Sequence, residues 1–165
     1  MKITRIILFL IVYEITICIL RKIKRRIVYA RANKRAKQTG KKLLVIGDPY
    51  NGIASKSTGI DYDCGDLCID LTGCPKCPES IKGRLEDTIA NIKLDEYVIY
   101  ISCVLEYVDD LEYIQNFLNK VDPKDLFVVN VEWYSLMSCF YPHFLIGDPP
   151  PRYIYVVNKY VKNPF

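Results

Sequence analysis

The sequence predicts a doubly wound α/β domain with a mostly parallel sheet, preceded by an N-terminal transmembrane helix. Three observations carry this expectation. After residue 42 the strongest apolar runs are short and nearly continuous rather than alternating, as expected of strands buried on both faces. Windows of helical length separate these runs, which is the pattern of a parallel sheet with helical crossovers. Ahead of them, residues 3–20 form the longest apolar stretch, and a dense basic run follows it.

The stretch 3–20, ITRIILFLIVYEITICIL, would span roughly 27 Å as a helix, against a hydrocarbon core of ~30 Å. Arg5 and Glu14 are its only charges. A signal peptide would show a small-residue cleavage site here, but the run meets Arg21, Lys22, Lys24, Arg25 and Arg26, so a retained anchor is expected. Residues 1–42 hold 13 Lys and Arg against one acid, whereas residues 43–165 hold 10 against 18. This bias places the body of a single-pass protein on the cytoplasmic side. Residues 21–38 lack Pro and Gly and continue the helix to Gly40, with Ile23, Ile27 and Ala30 as a thin apolar stripe among cations. Such a segment suits anionic lipid headgroups. A basic neck on an acidic body disfavours nucleic acid as a partner, because a nucleic-acid reader carries its cations on the folded domain. The chain divides into an anchor at 1–20, a basic juxtamembrane helix at 21–40 and an α/β domain at 41–165.

Within that domain, residues 43–46 form the first strand, 67–71 a second, 97–102 a strong one and 126–131 another. A late strand at 153–157 is set off by Pro149, Pro150 and Pro151. Residues 81–92 and 108–121 have helical length, and Val108, Leu111, Ile114, Phe117, Leu118 and Val121 share one helical face. Residues 133–140 are expected as a short helix. In such a sheet, ligands bind outside the carboxyl ends of the strands. The first strand ends in the turn of LLVIGDPYNG, residues 43–52, where Gly47 and Gly52 permit close backbone approach around Asp48. Asp70 ends the second strand, 23 residues after Gly47, where an acid can accept hydrogen bonds from the ribose of an adenosine moiety. Glu86 and Asp87 follow, placed to face an adenine amino group.

The segment YVIYISCVLEYVDD, residues 97–110, resembles the fourth strand and following loop of class I S-adenosylmethionine-dependent methyltransferases of the small-molecule type. The resemblance covers roughly residues 41–158 and implies a Rossmann-like sheet with S-adenosylmethionine as cofactor. It further implies Gly47, Asp48 and Gly52 near the methionine part of the cofactor, Asp70 at the ribose and Asp87 near adenine. Ser102 and Cys103 would flank the cofactor at the fourth strand. Methyl transfer depends mainly on alignment, and a base is needed only if the acceptor loses a proton. Glu106 and Tyr107 are the catalytic candidates, ahead of the sole histidine, His143, and the acceptor is expected to be a small molecule or lipid at the membrane. Pro49 in place of a central glycine, with only one strand candidate after the fifth, supports the alternative of a non-catalytic structural or interaction protein tethered to a membrane.

Seven cysteines cannot all pair, and a reducing compartment is expected. Cys64, Cys68, Cys74 and Cys77 have the spacing C-x3-C-x5-C-x2-C. Four thiolates there could bind zinc tetrahedrally, and Cys74 with Cys77 could act as a redox pair. Plain reduced thiols without metal are the expectation.

Overall fold

The computed structural model describes residues 2–50, 62–131 and 135–136. The first element, α1 (Lys2–Thr39), is one uninterrupted helix, and Gly40, at φ +69°, ends it. Then come β1 (Lys42–Ile46), β2 (Leu67–Asp70), β3 (Ser80–Lys82), α2 (Leu85–Thr88), β4 (Tyr97–Ser102), α3 (Leu111–Leu118) and β5 (Leu126–Val129). Single turns of 3-10 helix lie at Ile89–Asn91, Leu94–Glu96, Leu105–Tyr107 and Pro123–Asp125. The strands form one all-parallel sheet in the order β3-β2-β1-β4-β5. Its centre is the β1–β4 pair, in register from Lys42 opposite Tyr97 to Ile46 opposite Ile101.

Alternate residues of each strand feed opposite faces, so both faces are buried. Leu44, Ile46, Ile69, Ile99 and Ile101 pack against Leu85, Ile89, Ile114 and Leu118 from α2, α3 and the adjoining turn. Leu43, Val45, Val98 and Tyr100 pack the other way, against Val28, Ala32 and Ala36 of α1. Full burial of each such aliphatic side chain is worth about 1.5–3 kcal/mol, which is why the nearly unbroken apolar runs become central strands.

Two expectations need correction. Residues 81–92 are not one helix: Ile81 and Lys82 belong to β3, Gly83 follows at φ +159°, and only then does the short α2 begin. The edge strand β3 takes residues of helical window because pairing with β2, from Cys68 opposite Ser80 to Asp70 opposite Lys82, outweighs local preference. The helix expected over 108–121 is confined to α3, because the Asp110 carboxylate accepts from the Tyr113 N–H and caps its start. The expected strand at 153–157, and all but Ser135 and Leu136 of the expected helix at 133–140, lie outside the described residues.

The basic half of α1 is part of the α/β body. Val28, Ala32 and Ala36, at helical spacing, are buried against the sheet, whereas Ile23, Ile27 and Ala30 face outward. Polar contacts fix the helix direction. Arg25 Nε donates to Ser102 Oγ (2.8 Å) at the carboxyl end of β4, and Arg35 Nε donates to Asp125 (2.7 Å) just before β5 begins. Lys41 Nζ donates to the second Asp125 oxygen (2.8 Å). The ten residue steps from Arg25 to Arg35 rise ~15 Å, close to the length of a six-residue strand. The helix therefore runs antiparallel to the strands, and residues 2–24 project roughly 35 Å beyond the carboxyl edge.

That projecting part is long and apolar enough to cross a membrane. Ile7, Phe9, Ile11, Ile15 and Leu20 are all exposed, Phe9 at 68%. Its carboxylate is matched by donors from the chain beyond β5. Ser135 Oγ donates to Glu14 Oε1 (2.5 Å) and the Leu136 N–H to Oε2 (2.8 Å).

Candidate ligand site at the carboxyl edge

Because the five strands among the described residues are parallel, their carboxyl ends form one edge, and the strand order reverses between β1 and β4. In open α/β sheets this reversal leaves a crevice where ligands bind. Here the two strand ends meet closely. Gly47 follows β1 at φ +107°, and a Cβ there would lie 2.7 Å from the Ser102 carbonyl oxygen and 3.1 Å from Val104. Only glycine fits that backbone. Gly47 N–H donates to Ile69 O (2.8 Å), which ties the turn to β2.

Asp48 and Asp70 are joined directly: the Asp48 N–H donates to Asp70 Oδ2 (3.0 Å), and Thr72 donates through its N–H and hydroxyl to Asp70 Oδ1 (2.9 and 2.8 Å). Asp70 is half-buried, and a carboxylate offers about four acceptor positions, so Oδ2 retains capacity for a further donor. Ser102 is buried under Arg25. Cys103 is half-buried at φ +53°, a left-handed conformation uncommon for a residue with a Cβ, and its N–H donates to Val129 O (2.7 Å). Gly47, Asp48, Asp70, Ser102 and Cys103 thus share the edge. Asp87 is exposed in the first turn of α2, while its neighbour Glu86 accepts from the Asp109 N–H (2.7 Å) and Arg84 pairs with the Asp109 carboxylate. Gly52 and His143 lie outside the described residues.

The two catalytic candidates part company. Tyr107 is 55% exposed, whereas Glu106 is fully buried. Glu106 Oε1 accepts a short hydrogen bond from the Val131 N–H, and Oε2 has no hydrogen-bond partner among the described residues. Burial pushes its carboxyl up to about 7, against opposing contributions from the Val131 N–H and the Arg21 and Arg25 charges. The Asn130 side-chain oxygen at the end of β5 is a second buried acceptor without a partner among these residues.

Sequence reasoning missed an aromatic group over the same edge. Tyr62, Tyr29 and Tyr100 pack with ring centroids 4.9–5.8 Å apart, and the Arg25 guanidinium lies 5.3 Å above the Tyr62 ring. The Tyr62 hydroxyl donates to Gly47 O (3.2 Å) and the Tyr100 hydroxyl to Arg25 O (3.3 Å). Burial pushes the Tyr62 and Tyr29 hydroxyls up to about 12, so both stay neutral. The signal available was helical periodicity: Arg25, Tyr29, Ala32 and Ala36 lie at spacing i, i+4, i+7 and i+11, one face of α1.

The cysteines differ from expectation. Cys64 pairs with Cys77 and Cys68 with Cys74, rather than standing as separate thiols. Linear spacing carried no sign of this, because the contact depends on β2–β3 pairing, which brings the loop before β2 onto the loop after it. Cys18 and Cys103 stand outside the disulfides. No protein-family model, curated protein or solved structure matches this chain.

Proposed function

We propose that this chain is a membrane-anchored, S-adenosylmethionine-dependent methyltransferase-like protein with a Rossmann-like sheet, acting on a lipid or a small molecule held at the bilayer. The observation that carries the reading is the direction of α1, which leaves the body from the same edge that holds Gly47, Asp70 and Ser102. Arg25 lies five residues beyond Leu20, so the edge stands about 10 Å or less from the end of the apolar stretch, and Ser135 and Leu136, bonded to Glu14, follow the helix into that stretch. Arg21, Lys22, Lys24, Arg25 and Arg26 occupy that interval, and the positive-inside bias puts the body in the cytoplasm.

The residues fit the cofactor in part. Asp70 keeps an acceptor position for a ribose hydroxyl at the end of β2, and the Gly47 turn lies at the strand-order reversal. The sulfonium supplies an already activated methyl group, so the protein's part is to hold the acceptor in line and exclude water. Glu106, buried and held neutral below about pH 7, can retain a proton at this edge or accept one from a substrate that reaches its Oε2. Asp48 orders the turn by accepting from the Tyr50 N–H (2.9 Å).

One observation favours a second reading, a tethered non-catalytic protein: the Tyr62 hydroxyl already donates to Gly47 O and stands 3.6 Å from where a Gly47 Cβ would lie. Calorimetric titration of the full-length chain in lipid nanodiscs with S-adenosylmethionine and its demethylated product separates the two. Saturable binding lost in Asp70→Ala supports the enzyme. Absence of heat at millimolar ligand, from protein shown to be folded, supports the tethered protein.

A further inference from the structure

The geometry points to a tetrathiolate zinc site formed by Cys64, Cys68, Cys74 and Cys77 when these residues are reduced. Their convergence is a property of the fold. Cys64 lies in the connection into β2, Cys68 within β2, and Cys74 and Cys77 in the connection to β3. The Sγ atoms of Cys68, Cys74 and Cys77 lie within 4.8 Å of one another, and Cys64 is bonded to Cys77, so four sulfurs form one knot. In a tetrahedral site with zinc–sulfur bonds of ~2.3 Å, neighbouring sulfurs stand about 3.8 Å apart, so each of the two bonded pairs opens to that separation once reduced.

The backbone around the knot suits the same role. Cys74 and Cys77 close a tight turn, with the Cys77 N–H donating to Cys74 O (2.9 Å). Gly65 and Gly73, beside Cys64 and Cys74, take φ values of +66° and +82°, and a Cβ at Gly65 would lie 2.7 Å from Leu43 O. Cys64, Cys68 and Cys74 are buried, so three of the sulfurs are shielded from water, as a closed structural site requires. No regular helix lies between β2 and β3, so cross-linking at these cysteines takes the place of packing in that connection.

The compartment decides between the disulfides and the metal. The charge bias of the N-terminal segment places the body on the cytoplasmic side, where disulfides are rare and thiols persist. Each protein disulfide opened there oxidises two molecules of a glutathione-class thiol to their own disulfide, giving two protein thiols. Zinc then displaces four protons to solvent as four sulfur–zinc bonds form. The site has a structural consequence for the ligand edge, since Cys68 Sγ lies 3.9 Å from Gly47 O, the carbonyl that Tyr62 also caps. Cys68 thus places the knot directly beneath the turn after β1, independently of whether the edge binds S-adenosylmethionine.

The test is elemental analysis of full-length protein extracted with detergent and a thiol reductant from the membranes of cells with a reducing cytosol. The expected result is about one zinc per chain in the wild type and in Cys103→Ser, and below about a tenth in Cys74→Ser. Should Cys74→Ser fail to fold, cobalt exchanged into the wild type provides the second measurement, through thiolate-to-cobalt charge-transfer absorption and tetrahedral d–d bands. Zinc below about a tenth per chain in folded, reduced wild type overturns the proposal, and so does recovery of both disulfides by alkylation of the protein in freshly lysed cells.

Discussion

Replacing Glu106 with Gln tests how the carboxyl edge handles charge. Glu106 is fully buried, its carboxyl rises from an ordinary 4.5 to about 7, and burial is the leading cause. Between those values the folded chain holds a proton that the unfolded chain has released, so stability falls as pH rises. At about 1.4 kcal/mol per unit, the cost above pH 7 amounts to about 3 kcal/mol. Gln removes the titration while preserving an oxygen for the Val131 N–H. The assay is guanidinium unfolding of the full-length chain in detergent, followed by circular dichroism at pH 5 and pH 8. The wild type should lose about 2.5 kcal/mol relative to the variant across that interval. Parallel pH profiles, within about 0.5 kcal/mol of each other, would refute the assignment of a raised carboxyl to this position.

Other perturbations follow from the contacts of α1 and of the ligand edge. For Asp125, burial pushes the carboxyl up, but hydrogen bonds from Lys41 and Arg35 more than offset this and hold it below its ordinary 3.8. Asp125→Asn should cost about 1–3 kcal/mol, discounted because both cations are partly exposed, and the same unfolding assay measures it. That contribution is complete above the ordinary Asp value and fades as the pH falls through the depressed one, so the difference between the two proteins should close in acid. Ala32, at 0% exposure between α1 and the sheet, should tolerate Leu poorly, with a loss of about 1–3 kcal/mol, whereas Ile7→Ala on the exposed face should stay within about 0.5 kcal/mol. Tyr62→Phe removes the hydroxyl from Gly47 O while keeping the ring packing, and should cost about 1 kcal/mol in thermal unfolding. Full-length protein should remain in membranes through carbonate extraction, and its release would contradict the anchor.

What the sequence makes legible here depends on where each signal is stored. Residues 97–102 read as a strand because YVIYIS is apolar on both parities, and β4 is buried on both faces at the sheet centre. Likewise, the glycine at 47 and the acid at 70 are legible because turn geometry and strand ends leave local marks. By contrast, β3 is only three residues long with exposed ends, and its pairing to β2 exists only in three dimensions. The same holds for Arg25 and Tyr62. Their contacts with Ser102 and Gly47 span 77 and 15 residues of sequence, so neither shows in a local window. The basic half of α1 reads as a juxtamembrane helix because cations surround Ile23, Ile27 and Ala30, and Val28, Ala32 and Ala36 become a packing face only when the sheet is present.

The direction of α1 is the claim on which the membrane-facing site depends. It is tested most directly by lipid-headgroup quenching of a fluorescent amino acid placed at Tyr107, on the carboxyl edge, or at Lys124, on the amino edge, in full-length protein in nanodiscs. The two edges differ in depth by ~15 Å along the helix axis, so position 107 should be quenched strongly and position 124 weakly. Equal quenching, or stronger quenching at position 124, would contradict the account.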